Sequence, residues 1–585
     1  MKPHYYTAER NAQIVISLLK SHGIRKIIAS PGATNICFVA SVQIDPFFEV
    51  YSCIDERSAA YMACGLAAES GEPVVISCTG ATSSRNYMPG LTEAYYRKLP
   101  ILAITSSRGE NLIGHLKPQV TDREHLPTDI VMEHVNAPLV VDTQTEHLCT
   151  INVNKAILAL KHRGGGPAHI NLMTLAATDF SIKELKPARK ISRYEIDDLL
   201  PELPKGKKVV FIGSHKQFTT EQTLALDLFC KANNAVALCD HTSGYHGTYR
   251  IQASILLAQE GYNGILSDID LLVHIGDISG CYYMATIKPK QVWRVNIDGE
   301  VRDFFGTLTN VFEMQEEAFF MHYAQVNEAD DQANVKNICD AELQAITNQI
   351  PNLPFSNIWV AQQSSQLLPK NSIIHFGILN SLRSWNFFEI NETIVSNCNV
   401  GGFGIDGIIS TIIGASLSQP QKKYFCVLGD LAFFYDMNAL GNRHIGPNLR
   451  IIIINNGVGQ EFRNPSFENN YHFGEDFNPF IGAKGHYAQQ SPQLIKHYST
   501  DLGFEYLSAR NKEEFTNCAK YFFTSNSSHN PIIFEIFTNS NEETNALSAM
   551  CNIVAKKETI IGTVKKNILN NISKEKAQAI RTLLK

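Results

Sequence analysis

The sequence predicts three consecutive α/β domains, each built on a parallel sheet. Three observations lead there. Short apolar runs alternate with amphipathic helical stretches along most of the chain, the pattern of parallel α/β layers. These runs fall into three blocks separated by charged, proline-punctuated or acidic segments. With 585 residues, 44% of them hydrophobic, the chain can fill several separate cores.

The first block should span residues 1–185. Helical periodicity around 7–21 leads into a strand at 24–29 and the turn Ser30-Pro31-Gly32. A strand at 48–54, a small-residue helix at 57–69, a strand at 74–78, a helix near 87–96 and strands at 101–105 and 168–172 follow. A linker carries Pro187, Pro201 and Pro204. The second block, 205–325, places strands at 208–213, 235–239, 271–275 and 292–297. A polar, acidic stretch at 327–340 leads to the third block, 355–550, with strands at 372–376, 392–396, 424–428, 450–454 and 532–536. Residues 556–585 form a basic C-terminal extension of eight Lys or Arg against two Glu, net +6, expected to be solvated or to dock as one helix.

Composition narrows the function. Charged residues are only 18%, which excludes disorder as the main state, and a net charge of −6 offers no field for nucleic acid. Thirteen cysteines contain no C-x-x-C pair, and the closest two are Cys230 and Cys239. They read as buried thiols of a reducing compartment rather than a zinc or redox centre. No apolar run approaches the ~18 residues of a membrane span, and the N-terminus lacks a signal-peptide pattern. The expectation is a cytoplasmic enzyme.

Two motifs compete in the third block. Gly402-Phe403-Gly404-Ile405-Asp406-Gly407 fits the G-x-G-x-x-G of a dinucleotide turn, with Asp430 as the later acid. Alone it would support an NAD-linked oxidoreductase. Against it stands Gly429-Asp430 at the end of one predicted strand and Asn455-Asn456 at the end of the next. Adjacent parallel strands would bring a carboxylate and a carboxamide to one sheet edge, hard oxygen ligands suited to Mg²⁺ or Ca²⁺ that leave room for phosphate. Gly457 and Gly459 let the chain turn tightly there and present a backbone carbonyl.

This second motif resembles the signature of thiamine diphosphate-dependent enzymes. The match runs through Gly429-Asp430-Leu431, residues 435–440 and Asn455-Asn456-Gly457-Val458-Gly459-Gln460-Glu461-Phe462. With Gly404-Ile405-Asp406-Gly407, Ser30-Pro31-Gly32 and Asp55-Glu56-Arg57, it is most similar to the menaquinone-pathway 2-succinyl-5-enolpyruvyl-6-hydroxy-3-cyclohexene-1-carboxylate synthases. The resemblance implies a pyrimidine-binding first domain, a central domain and a diphosphate-binding third domain. It implies Mg²⁺ held by the Asp430 and Asn456 side chains and the Val458 carbonyl. Gly404, Ile405, Asp406, Gly429, Leu431, Gly459, Gln460, Glu461 and Phe462 should lie along the cofactor, with Ile405 propping it into a bent form. Glu56 should share a proton with the aminopyrimidine, a role that burial would favour by keeping its carboxyl protonatable near neutral pH. Active sites shared across a homodimer or homotetramer are also implied.

The implied reaction is decarboxylation of a 2-oxo acid, followed by aldehyde release or acyl-carbanion transfer to an aldehyde or enone acceptor. Substrate-side matches are Thr34, Arg108, Gln119, Ser381 and Arg383. Three family arginines are absent: Thr34, Trp385 and Val400 stand in their places. Losing about three charge-assisted contacts, each worth roughly 1.5–3 kcal/mol, points to a paralogue with a less polar substrate. An acetolactate-synthase-like pyruvate ligase is the alternative within the cofactor class, and a relative without catalysis, acting as a partner protein, lies outside it. Every motif residue precedes the basic extension, so truncation after Ala555 should leave thiamine diphosphate binding intact, as calorimetry would check.

Overall fold

A computed structural model describes residues 5–123, 125–324, 334–464, 478–485, 490–524 and 528–554. The basic extension and residues 327–333 of the acidic stretch at 327–340 lie outside them. The chain forms two compact units, one of residues 1–200 with 298–313, the other of residues 201–297 with the chain from 314 onward.

The first unit is built on a six-stranded parallel sheet of β1 (Lys26–Ala29), β2 (Glu49–Ser52), β3 (Val74–Thr79), β4 (Ile101–Ser107), β5 (Glu133–Ala137) and β6 (Ala168–Met173). The order is β2-β1-β3-β4-β6-β5. Helices cover both faces, which is why β4 is buried at every position and reads as an unbroken apolar run followed by small polar residues. The unit also holds the parallel pair β7 (Ser192–Glu195) and β13 (Leu308–Glu313).

The second unit contains two parallel sheets. The central one joins β8 (Lys208–Ile212), β9 (Val236–Cys239), β10 (Arg250–Gln252), β11 (Leu271–Ile275) and β12 (Gln291–Val295) in the order β10-β9-β8-β11-β12. The other comprises β14 (Ile373–Phe376), β15 (Val395–Cys398), β16 (Tyr424–Gly429), β17 (Leu449–Asn455), β18 (Glu505–Ala509) and β19 (Ile532–Phe537). Its order, β15-β14-β16-β17-β19-β18, repeats the winding of the first sheet strand for strand. Its core is dense in Ile and Phe, with Ile408, Ile412, Ile451, Ile453 and Phe433 fully enclosed. Three parallel-sheet α/β layers are therefore present, as the alternation predicts.

The differences fall on polar elements. β5 and β18 sit at sheet edges, where one flank meets water and no apolar run is needed. Neither stands out in the sequence. The acidic stretch, expected only to lead to the third block, contains the start of helix Val335–Thr347, whose first turn is capped by the Asn334 side chain.

Helix Glu56–Ser70 carries the candidate acid of the first unit on its first turn. The Asp55 side chain accepts the Arg57 N–H at its start, and Gly71 ends it at φ +68°. It packs against helix Met88–Arg97, where a Cβ on Gly90 would lie 2.4 Å from the Cβ of Ala60. Gly90→Ala should therefore overpack this contact. The cost is about 1–3 kcal/mol, offset by up to ~1 kcal/mol of helix propensity. Denaturant unfolding should show a net loss, and an unchanged midpoint would mean that the helices can part.

Candidate active site

In open α/β sheets, ligands bind at the carboxyl ends of strands where the winding reverses. In the third sheet that point lies between β14 and β16, because the chain runs from β14 outward to β15 and then back to β16. Asp430 follows β16 directly and opens helix Asp430–Asp436. It is 2% exposed. Its Oδ1 accepts the Leu431 N–H at 2.9 Å and its Oδ2 the Gly457 N–H at 2.9 Å. Gly457 adopts φ +76°, a conformation that glycine takes without strain.

β17 ends on Asn455, and the two asparagines that stand side by side there divide the work. Asn455 turns into the sheet, where its amide donates to Glu535 at 2.7 Å. Asn456 stays at the edge and its Oδ1 accepts the Val458 N–H at 3.2 Å. A buried carboxylate, a carboxamide oxygen and the carbonyl of a tight loop make an all-oxygen donor set of the kind Mg²⁺ takes with phosphate. Among the described residues there is no group of three or more His, Cys, Asp or Glu that could hold a metal.

Electrostatics mark the same place. Burial pushes the Asp430 carboxyl up to about 7 against the opposing pull of its backbone donors, and Glu535 adds repulsion. Glu543 is likewise buried and pushed up to about 7, with Asp430 among the groups that raise it. Its two oxygens accept the Asn357 N–H, and it receives the Thr538 hydroxyl. Acid accumulates here where a divalent cation would offset it.

Loop 459–463 is anchored by side chains expected along the cofactor. The Gln460 amide donates to Ser540 O and Thr544 Oγ1, both at 3.1 Å, and its Oε1 accepts the Ser540 hydroxyl. Gln460 therefore ties the loop to helix Ser540–Cys551 rather than reaching outward. Glu461 grips Arg383 in a two-pronged pair of 2.7 and 2.6 Å. Arg383 and Ser381 lie buried on helix Asn380–Trp385, beyond the end of β14. Trp385, in the place of a family arginine, is fully buried against Phe376, and Val400 is buried too. Gly429, Leu431, Gly459 and Phe462 are half-buried near these elements. Ile405 packs on the sheet's core, while Asp406 is exposed, its Oδ1 2.4 Å from where a Cβ on Gly404 would lie.

The glycine turn does not have dinucleotide-binding geometry. β15 is an edge strand ending at Cys398, and helix Ile408–Ser416 begins only after Gly407, the last glycine. A dinucleotide fingerprint instead opens its helix directly from the strand, within the glycines.

In the first unit, Glu56 opens its helix and accepts the Asn86 amide at 3.1 Å. Partial burial works to raise its pKa, but hydrogen bonds from Asn86 and Ser83 outweigh this and hold it below the usual carboxylate value. The expectation that burial keeps Glu56 protonatable is thus not met within one chain, because the carboxylate is only half-buried and well supplied with donors. Asn86 and Ser83 carry no motif of their own, and only their place on the short helix Thr82–Asn86 brings them to Glu56. Thr34 follows β1 and donates to Ser106 O at 2.5 Å on β4, while Arg108, just past β4, and Gln119, at φ +63°, are exposed.

The raised Asp430 value has a thermodynamic consequence. Its unfolded pKa is near 3.8 and its folded one near 7, so the folded state binds the extra proton, and that stability is lost as pH rises through 7. Asn cannot titrate, so comparison with Asp430→Asn isolates the effect from the buried histidines. Without divalent cations, raising the pH from 5 to 7.5 should shift the stability difference toward the Asn variant by about 2 kcal/mol. A difference that is flat with pH in denaturant titrations would show that the carboxylate ionises freely.

Comparison with known proteins finds similarity to thiamine pyrophosphate enzymes in sequence. Residues 10–126 match the thiamine pyrophosphate enzyme family's N-terminal TPP-binding domain. The 2-succinyl-5-enolpyruvyl-6-hydroxy-3-cyclohexene-1-carboxylate synthase of Bacteroides thetaiotaomicron is 29% identical over 564 residues, 93% of this chain and 98% of its own. That of Phocaeicola vulgatus is 29% identical over 573 residues, with the same coverage. A solved Rhodococcus jostii RHA1 thiamine diphosphate-dependent 4-hydroxybenzoylformate decarboxylase aligns with 90% of this chain and 99% of its own at 14% identity and a TM-score of 0.39. The chain is thus similar to thiamine pyrophosphate enzymes over residues 10–126 and to these synthases along 93% of its length.

Proposed function

We propose that the chain binds thiamine diphosphate through Mg²⁺ and decarboxylates a 2-oxo acid, releasing an aldehyde or passing the acyl group to an acceptor. The observation that carries this is Asp430, buried beside Asn456 at the winding reversal with only backbone donors on its carboxylate. Asp430, Asn456 and the Val458 carbonyl would hold the metal. Thiamine diphosphate, when bound, supplies an electron sink for the pair left on C2 of the donor as the C1–C2 bond breaks and CO₂ departs.

The chain's own residues do the rest. Glu56 exchanges a proton with the cofactor's pyrimidine nitrogen. That requires a pKa higher than the one its open setting gives, so the cofactor and a second copy of the chain must cover it. The exposed apolar residues Ile54, Tyr61 and Met62, on or beside the same helix, suit burial by such a copy. We read the active unit as a homodimer or homotetramer with one site per Glu56–Asp430 pairing. All thirteen cysteines are free thiols, most of them buried. Among the described residues no helix is long and apolar enough to cross a membrane.

Thiamine diphosphate with Mg²⁺ should raise the melting temperature, and NAD should not. Glu56→Gln should keep this shift while losing at least ~100-fold in turnover, whereas Asp430→Ala should lose both. Co-expressed Glu56→Gln and Asp430→Ala chains should recover up to about half the wild-type activity per dimer, since one of two shared sites is intact. A melting shift with NAD alone would reject the cofactor, and folded but inactive mixed dimers would reject the shared site.

A further inference from the structure

Arg383 is a cation with no charge to spare. Its guanidinium donates through Nη1 to Glu461 Oε2 at 2.7 Å and through Nη2 to Glu461 Oε1 at 2.6 Å, filling both forks of a carboxylate-binding site. The two side chains are only 7% and 13% exposed, and the flat face of Arg383 lies 5.9 Å from the centre of the Tyr282 ring. Tyr282 in turn meets Phe403 of the glycine turn at 5.5 Å. Glu461 stands three residues beyond Val458, so the pair borders the loop assigned to the metal.

We propose that the Arg383–Glu461 pair determines donor specificity: it occupies in advance the place where a substrate's second carboxylate would bind, so the donor is a 2-oxo acid with an uncharged, apolar tail. The proposal rests on the reading that loop 455–459 carries the metal and diphosphate. An incoming second carboxylate would have to displace Glu461 from a buried fork or lie beside it without a counter-ion, and either disfavours binding. An apolar tail meets Tyr282 and Phe403 instead. The other arginine of this loop, Arg463, donates through Nε and Nη2 to the Asn478 carboxamide oxygen, which holds its side chain toward that residue.

The test uses the full chain loaded with thiamine diphosphate and Mg²⁺, with loading measured by calorimetry. Phosphonate analogues of phenylpyruvate and of 2-oxoglutarate are titrated into wild type, Glu461→Gln and the double variant Arg383→Met with Glu461→Met. kcat/KM for the two parent acids is measured in parallel. Wild type should bind the analogue with the uncharged tail at least about tenfold more tightly. Glu461→Gln, which leaves the Arg383 charge without its counter-ion, should move that ratio about tenfold or more toward the dicarboxylic analogue. The double variant should return toward the wild-type preference. If the Gln variant does not fold, Glu461→Asp, one methylene shorter, should loosen the fork and move the ratio the same way. Wild-type preference for the dicarboxylic analogue, or a ratio unmoved in a folded Glu461 variant, overturns the proposal. Failure of wild type to take up thiamine diphosphate would instead reject the cofactor assignment, a result the calorimetry separates from an inverted donor preference.

Discussion

One buried carboxylate sets the terms for the catalytic end of this protein. An ionised Asp inside a protein is costly by several kcal/mol unless it is paired, and Asp430 has only the N–H groups of Leu431 and Gly457. Both depend on architecture. The Leu431 donor exists because a helix starts where β16 stops, and the Gly457 donor because β17 runs parallel to β16 in a fixed register. The Ile-rich core beneath holds the two strands in that register. The Asn455 amide ties the end of the second strand to Glu535 on β19.

The first and third sheets share the order of their six strands, although no internal repeat is visible in the sequence. The shared winding creates two equivalent reversal points, and the chain equips them differently. Past β1 lies Ser30-Pro31-Gly32, where a Cβ on Gly32 would fall 1.9 Å from Thr79 Cγ2, so β1 and β3 approach closely. Past β16 lies the acidic oxygen set. The same scaffold thus carries small neutral residues past β1 and a buried carboxylate past β16, so the loops rather than the winding differ.

Much of this was legible in the residues. Fully buried strands such as β17 announce themselves as apolar runs, so the sheets could be read directly, and the Gly-Asp and Asn-Asn pairs could be placed where two of those runs end. Partner choice could not. Arg383 reads as an available cation until its fork closes on a glutamate 78 residues away, and Gln460 reads as outward-facing until Ser540 and Thr544 take its amide. Side-chain pairing across distant segments leaves no local pattern. Edge strands such as β5 escaped for the opposite reason, since a half-solvated strand needs no hydrophobic signature. The state of Glu56 depends on what covers it, and one chain's sequence does not display that.

The anchoring of helix Ser540–Cys551 bears on how the protein is made. Its first turn holds Gln460, its Glu543 caps the helix at Asn357, and its last turn reaches the central sheet's neighbourhood, where Gln259 donates to Met550 O and accepts the Ile553 N–H. A ribosome delivers these contacts last. The first unit's six-stranded sheet is complete once residue 173 has emerged, and it can form while synthesis continues. The central sheet's strands have all emerged by residue 295 and those of the third sheet by residue 537. Their shared strut arrives only with the final described residues, so the loop bearing Asn456 and Glu461 gains its anchors after nearly the whole chain has been translated. Nascent chains that stall before residue 540 would carry a finished first sheet and a loop 456–463 without its anchors.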